Sequence, residues 1–189
     1  MPALEDSPQR LFIGVPVSES ARLAICRQIP PSLPGRQSPL ENWHFTLRFI
    51  GNADSAQRAG LIEKLRSIDF GNSFDIEFDQ LGAFPNPRRA RVVWVGVGKG
   101  RESLEKVAGK AENAVVASGF EAEARKFSAH LTISRLKQPE SVAQFLTKAR
   151  KIDARMPVTE VILYRSELGR GHSRYSVVAA FPLNQRRSS

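Results

Sequence analysis

The order of hydrophobic and polar positions along the chain predicts a protein that mixes strands with helices. Residues 11–17 (LFIGVPV) form a short apolar run, which is typical of a buried strand, and Ser18 after it is a favourable N-cap for a helix. Residues 73–81 (SFDIEFDQL) place apolar side chains at every second position, as a strand with one buried face does. Residues 102–118 repeat apolar positions at helical spacing, and Gly119 after them favours the end of a helix.

Less regular patterns complete the expected order of elements. Asp54 can cap a helix that ends near residue 68, and Pro139 can begin a helix that ends near residue 151. Further strands are predicted at 41–52 (ENWHFTLRFIGN), 90–98, 120–135, 157–164 and 174–182.

An internal repeat emerges when these elements are aligned. The motif HFT begins at residue 44 and HLT at residue 130, and the following helices begin near 54 and 140, so both features shift by 86 residues. The next strands centre near 77 and 161, a shift of 84 residues. We therefore expect a single domain over residues 1–189, made of two similar, intertwined lobes that each present one histidine to a shared cleft.

Each H-x-T strand directs an imidazole and a hydroxyl to the same side, because residues two apart on a strand share a face. In the first strand the face opposite the histidine is apolar and is expected to be core: Trp43, Phe45, Leu47 and Phe49. The histidine face of that strand carries His44, Thr46 and Arg48. The second strand repeats the arrangement with His130 and Thr132 on one face and apolar residues on the other.

Composition narrows the class of partner. Lys and Arg number 28 against 19 Asp and Glu, and the formal net charge of +9 favours a polyanion such as nucleic acid. The single cysteine, Cys26, excludes an intramolecular disulfide, fits a reducing compartment and is expected to be buried. No stretch approaches membrane-spanning length, and the N-terminal segment MPALEDSPQR is unlike a signal peptide. We expect a cytoplasmic monomer with no membrane partner.

The paired motifs suit acid–base catalysis at phosphorus. One imidazole can take a proton from an attacking water while the other protonates the leaving oxygen, because histidine titrates near neutral pH. The two threonine hydroxyls can donate to phosphate oxygens. Neither strand supplies a carboxylate or a cysteine beside its histidine, so no metal and no other cofactor is expected. Two of the three histidines occupy matched positions of the repeat, which favours function over chance.

These stretches carry a resemblance to a known family. HFTLRFIGN and FSAHLTISR resemble the paired motifs of the two-histidine (2H) phosphoesterases, and in particular the bacterial and archaeal RNA 2′,3′-cyclic phosphodiesterases, historically called 2′-5′ RNA ligases. RLFIGVPV, NPRRARVVWVGV and VILYRSELGRGHSRYSVVAAFPL resemble other parts of that family, so the resemblance spans nearly the whole chain. Ala129 departs from it, because the family often has proline before the second histidine.

The resemblance implies a bilobal α+β fold, with two antiparallel β-sheets flanking a central cleft and helices on the outside. It implies an enzyme that opens the terminal 2′,3′-cyclic phosphate of RNA to a 2′-phosphate, some members also joining RNA ends through a 2′-5′ linkage. By position, His44 would be the proton donor to the departing 3′ oxygen and His130 the proton acceptor from water. Thr46 and Thr132 would hold the phosphate oxygens.

Three further residues are candidates for substrate binding. Arg135 matches a basic residue that follows the second motif in similar proteins, but strict alternation puts it on the buried face unless the strand bends. Tyr175 could stack on a base, and Arg48 shares the expected face of His44. His172, in a glycine-rich loop, is expected to be exposed and not catalytic. The expected partner is RNA that ends in a 2′,3′-cyclic phosphate, tRNA fragments among them.

Two alternatives stay open at this point. A related enzyme of the same superfamily would act on 2′-5′-linked oligonucleotides or small cyclic nucleotides. A non-catalytic RNA-binding module would use the basic cleft and aromatic stacking alone, and would bind RNA without either histidine.

Overall fold

The computed structural model describes residues 7–169 and 172–185 of the chain. Residues 1–6 of the N-terminal segment, two residues of the glycine-rich loop and the last four residues lie outside this description. In chain order, the described elements are β1 (Gln9–Pro16), α1 (Glu19–Cys26), β2 (Arg36–Gln37), a 3₁₀ turn (Leu40–Asn42), β3 (His44–Ala53), α2 (Ser55–Arg66), β4 (Phe74–Phe84), β5 (Ala90–Val97), α3 (Arg101–Ala117), β6 (His130–Glu140), α4 (Ala143–Lys148), β7 (Arg155–Val158), β8 (Glu160–Glu167) and β9 (Arg174–Pro182).

The strands form a sheet in the order β7-β4-β5-β6-β3-β1-β8-β9, with β2 pairing with β6, and these ladders are antiparallel. At the middle of this order, β3 and β6 share a single recorded residue pair, Phe45 with Leu131. The sheet therefore consists of two halves that meet at this pair: β3, β1, β8 and β9 on one side, and β6, β5, β4 and β7, with the short β2 beside β6, on the other. The expected α+β fold with two antiparallel sheets beside a cleft is confirmed, although the two sheets are joined at one point.

The two halves repeat the same register. In the first half Val15 of β1 pairs with Phe45, and in the second half Val95 of β5 pairs with Leu131. Each ladder then shifts by one residue at the matching place, between Ile13 and Gly14 and between Val93 and Trp94. A shared irregularity of this kind supports duplication more strongly than shared strands alone. We propose that the chain is one domain of two intertwined lobes.

Helices α1, α2 and α3 form where capping and apolar spacing predicted them. Asp54 and Gln57 make a reciprocal capping box at the start of α2, through bonds of 2.8 and 3.1 Å. Ser18 caps α1, and Gly119 follows α3 with a positive φ of 88°. The apolar face of α3 is buried, and each fully buried leucine or valine there stabilises the fold by about 1.5–3 kcal/mol.

Three predictions about local structure were wrong. The predicted strand at 120–135 begins only at His130, because residues 121–126 (EAEARK) are exposed and lack an apolar face. The helix predicted from Pro139 is reduced to Ala143–Lys148, because β6 continues until Glu140 pairs with Ala90 of β5. Cys26 is exposed at the end of α1 and is not a core residue. Within the described residues, no helix has both the length and the apolar character that crossing a membrane requires.

Candidate active site

The two H-x-T motifs lie beside each other where the halves of the sheet meet. Phe45 and Leu131 pair across the junction with 0% exposure, so both belong to the core. Because β3 and β6 run antiparallel at this pair, the motif residues on either side of it lie close together: His44 and Thr46 beside Phe45, and His130 and Thr132 beside Leu131. These four side chains line one cleft. The positive charge of His130 contributes to the lowered pKa of His44, so the two imidazoles lie near each other in this cleft.

The ring of His44 is fixed by two hydrogen bonds. Its Nδ1–H donates to the carbonyl oxygen of Asn42 at 2.7 Å, and its Nε2 accepts from the hydroxyl of Thr46 at 2.9 Å. The pKa of His44 is lowered to about 4, mainly by burial; the Asn42 bond acts to raise it, and the positive charges of Arg135 and His130 act to lower it. His44 is therefore neutral at pH 7 in the free protein, and its Nε2 lone pair faces the cleft.

Aromatic rings form the wall behind His44. The rings of Phe12, Tyr175 and Tyr164 lie with centroids 4.7, 5.3 and 5.9 Å from the imidazole, Tyr175 being edge-on. Gly14 permits this close packing, because a Cβ there would lie 2.9 Å from the Phe45 carbonyl oxygen and 3.3 Å from the His44 ring. The wall removes water from one side of the imidazole, which is the main cause of its low pKa.

His130 is held in the same way but is less enclosed. Its Nδ1–H donates to the carbonyl oxygen of Ser128 at 2.8 Å. Phe84 stands edge-on at 5.0 Å and Trp94 lies at 6.5 Å between ring centroids. Burial lowers the pKa of His130 below its usual 6.5, and the charge of Arg135 acts in the same direction. Both Nδ1 atoms thus bond to a backbone carbonyl two residues upstream, which leaves Nε2 of each ring for other partners, and in His44 that partner is the Thr46 hydroxyl.

A β-bulge brings Arg135 into the cleft. Thr132 pairs with Trp94 and Ser134 with Val93, so Ile133 is the extra residue of the ladder. Beyond this bulge Arg135 is exposed and lines the cleft instead of the core. The bulge at Ile133 is thus the irregularity in the strand that Arg135 needs in order to face the cleft.

The matching bulge in β3 contradicts two predictions. Gly14 pairs with Thr46 and Ile13 with Arg48, which makes Leu47 the extra residue and reverses the faces after it. Arg48 therefore does not share the face of His44. It contacts Glu112 of α3 at 2.5 Å, Glu123 at 3.4 Å and the carbonyl oxygen of Glu121.

Phe49 takes the place in the cleft that Arg48 was expected to have. It is 54% exposed and lines the cleft, although strict alternation predicted a core residue. Phe49 pairs with Phe12 just as Arg135 pairs with Val92, so an aromatic and a cationic side chain occupy equivalent places in the two halves.

Tyr175, which the sequence named as a candidate, lines the cleft. The cleft also contains residues that the sequence did not indicate. The exposed His172 lines it, and Nε2 of His172 accepts a hydrogen bond from Nε of Arg36 at 3.3 Å. Arg36 and Lys137 also line the cleft, but nothing in a loop rich in proline and serine indicated that Arg36 would reach it. Asn42 contributes its backbone carbonyl, which leaves no sequence signal.

The donor set of the cleft is cationic and hydroxylic. Its lining includes neither Asp nor Glu among the residues that the structure describes. Across residues 7–169 and 172–185, no three His, Cys, Asp or Glu side chains come together as a metal site would need. Such a lining, with two neutral imidazoles, suits an anionic ligand.

Comparison with known proteins agrees with this geometry. The model of the family described as LigT-like phosphoesterase matches the chain twice, over residues 15–94 and 95–175. Each matched segment contains one of the H-x-T motifs. The chain belongs to the LigT-like phosphoesterase family.

Individual relatives cover different shares of the chain. An RNA 2′,3′-cyclic phosphodiesterase of Methanothermobacter thermautotrophicus is 31% identical over 92% of this chain and 98% of its own length. One of Aeropyrum pernix is 40% identical over 59% of this chain, and the match spans 63% of that relative. The crystal structure of Escherichia coli LigT complexed with 3′-AMP superposes with a TM-score of 0.80 at 27% identity, covering 94% of this chain and 99% of that one.

Proposed function

We propose that this protein hydrolyses the terminal 2′,3′-cyclic phosphate of RNA to a 2′-phosphomonoester. The observation that carries the proposal is the pair of imidazoles whose Nδ1 atoms are bonded to backbone carbonyls and whose Nε2 atoms face one cleft. The names of the relatives, and the complex of E. coli LigT with 3′-AMP, support RNA as the substrate.

In the proposed reaction the oxygen of a water molecule attacks phosphorus while His130 Nε2 takes the water's proton. The bond between phosphorus and the 3′ oxygen breaks, and Nε2–H of His44 protonates that oxygen. The products are a 2′-phosphate and a free 3′-hydroxyl. The reaction needs His44 protonated and His130 neutral, so the free protein, with two neutral rings, must gain one proton together with the anionic substrate. The low pKa of His44 makes its imidazolium a strong acid once it forms.

The surrounding side chains have supporting roles in this proposal. The hydroxyls of Thr46 and Thr132 donate to the non-bridging oxygens of phosphorus, where negative charge builds up. Thr46 exchanges its bond with His44 Nε2 for a bond to phosphate when that nitrogen gains its proton. Arg135 neutralises phosphate charge, and Tyr175 contacts the terminal nucleoside.

We also propose that the same site can join RNA ends through a 2′-5′ linkage. A 5′-hydroxyl end of RNA in place of water would give a 2′-5′ phosphodiester with the same proton transfers, and that step is reversible. Metal independence, a monomeric state and a cytoplasmic location, all expected from the sequence, belong to the proposal as well. tRNA fragments are among the RNA ends that would fit it.

The decisive test is an assay in EDTA on an RNA oligonucleotide that ends in a 2′,3′-cyclic phosphate. Wild type should form a 2′-phosphate, and His44→Ala and His130→Ala should form little. Formation of a 3′-phosphate would keep the reaction class and reverse the choice of leaving oxygen. RNA binding that survives in both variants, without any product from wild type, would favour the non-catalytic binding module. A panel of substrates that includes 2′-5′-linked oligonucleotides and small cyclic nucleotides separates the proposed activity from that of a 2′-5′ oligonucleotide phosphodiesterase of the same superfamily.

A further inference from the structure

Two arginines lie directly opposite each other at one end of the cleft. The short strand β2 pairs with β6 so that Arg36 faces Arg135 across the ladder. Directly opposite residues of an antiparallel pair have Cβ atoms about 4.5–5.5 Å apart on the same side of the sheet, and like charges there are unfavourable. Lys137, two residues further along β6, also lines the cleft. We call Arg36, Arg135 and Lys137 the cationic rim.

No carboxylate balances the cationic rim within the described residues. The ion pairs recorded there join other cations, such as Arg48 and Arg165, to their acidic partners. Arg36 itself donates from Nε to an imidazole nitrogen of His172, which is not an anion. The exposed rim arginines therefore leave a positive charge that no described carboxylate balances, and such a charge favours an anionic ligand.

The fold keeps this repulsive arrangement in place with several contacts. Ser134, a polar residue with 0% exposure, donates from its hydroxyl to the carbonyl oxygen of Pro34 at 2.5 Å. The amide of Ser38 donates to the carbonyl oxygen of Ile133 at 2.9 Å. Gly35 has a φ of 82° and approaches β6 so closely that a Cβ would lie 2.8 Å from the carbonyl oxygen of Arg135. Backbone contacts thus hold β2 against β6 and bring Arg36 to the cleft before a ligand arrives.

We propose that the cationic rim binds the 5′-phosphate of the terminal nucleotide, so that the protein selects RNA ends over cyclic mononucleosides. This inference rests on the proposed function, because the cyclic phosphate is taken to lie between His44 and His130. From Thr132 to Arg135 the partner strand advances two residues, from Trp94 to Val92, or roughly 7 Å. Long side chains on the rim reach a group one nucleotide step away.

The side chain at the equivalent place in the other half indicates on which side of the site the RNA chain leaves. There Phe49 is exposed in the cleft, and an aromatic ring offers a base a surface but offers a phosphate no charge. The phosphodiester chain therefore leaves the site on the side of β2 and β6.

The test compares adenosine 2′,3′-cyclic phosphate with the same compound carrying a 5′-phosphate. The ratio of their kcat/KM values is measured within each variant, so a general loss of activity cancels. Wild type should prefer the 5′-phosphorylated compound by about tenfold or more, since a charge-assisted hydrogen bond contributes at least that much. Arg36→Gln and Lys137→Gln should each bring the ratio toward one. Arg66→Gln, an exposed charge at the end of α2, is the matched control and should keep the wild-type ratio.

Binding of adenosine 2′-monophosphate and of adenosine 2′,5′-bisphosphate gives a readout that needs no turnover. Tighter binding of the bisphosphate that Arg36→Gln abolishes supports the rim even if no hydrolysis is found, and the proposed reaction alone is then overturned. Hydrolysis of both cyclic compounds at equal rates, with equal affinities for the two products, overturns the rim and leaves the reaction standing. A wild-type preference that survives in Arg36→Gln and Lys137→Gln overturns it too.

Discussion

The two halves of the sheet share a register and a bulge, yet they surround their histidines differently. In the half of β3 and β1, His44 is enclosed by Phe12, Tyr164 and Tyr175, and burial lowers its pKa to about 4. In the half of β6 and β5, His130 has fewer aromatic neighbours and its backbone hydrogen bond is exposed, whereas that of His44 is partly buried. The duplicated backbone explains why there are two imidazoles. The different walls give the two imidazoles different surroundings, although burial is the main cause that lowers the pKa of each.

Removal of either imidazole should have the largest effect on activity. We expect His44→Ala and His130→Ala each to lower kcat by about 10²–10⁴-fold, because each deletes one proton transfer. The double variant should fall little below the single ones, because the two groups act as a unit. Stopped assays on a cyclic phosphate end measure this, with thermal unfolding as the control for folding. Ordinary rates in either single variant would contradict the mechanism.

The burial of His44 should make the free energy of unfolding depend on pH in the acid range. The pKa of His44 is lower in the folded chain than in the unfolded one, so the unfolded chain binds more protons between pH 6.5 and 4, and stability is lost as the pH falls through that range. The loss attributable to His44 reaches about 3 kcal/mol at pH 4. Urea unfolding at pH 7 and pH 4 measures it. His44→Asn should lose less stability on acidification than His172→Asn, the exposed control. Equal losses in the two variants would mean that His44 is not buried neutral.

The positive charge of Arg135 lowers the pKa of both His44 and His130, so its removal should shift the dependence of kcat/KM on pH. One imidazole must be protonated and the other neutral, so kcat/KM should be greatest between two pKa values that both lie below 6.5, and should fall about tenfold per pH unit above them. Arg135→Gln removes a charge that lowers both pKa values, so its declining limb should shift to higher pH. Lys137→Gln removes a nearby charge that is not among the causes of either shift, and its profile should keep the wild-type position. A wild-type plateau that extends to pH 8 would contradict this account.

The smallest expected effect tests the aromatic counterpart of Arg135. Phe49→Ala should raise KM for an adenine-ended substrate about fivefold with little change in kcat, because it removes stacking and leaves both histidines in place. Val116→Ala, which trims an exposed apolar side chain on α3, is the control. A fall in kcat with unchanged KM would instead assign Phe49 to support of the neighbouring ring of Phe12.

Alternation along the two motif strands predicted the side of the sheet on which His44, Thr46, His130 and Thr132 lie, because these residues precede the bulges. It failed after them. Leu47 and Ile133 are ordinary strand residues, and no glycine or proline announces that each is the extra member of its ladder. Arg48 and Phe49 were therefore assigned to the wrong faces, and Arg135 was left between two. Arg36 could not be predicted at all, since its position depends on tertiary bonds between its loop and β6.

The exchange of strands between the two matched segments has a consequence for how the chain folds. β4 from the first segment pairs with β7, and β8 from the second segment pairs with β1, so each half of the sheet is built from both segments. Neither segment can complete its own sheet, and Leu11 meets its partner Arg165 only after more than 150 residues of intervening chain have been made. When strand pairs are this far apart in sequence, the chain must lose much of its conformational entropy before the stabilising contacts between the strands can form. We expect folding on the ribosome to wait until β8 has emerged, and the protein to fold and unfold as one cooperative unit.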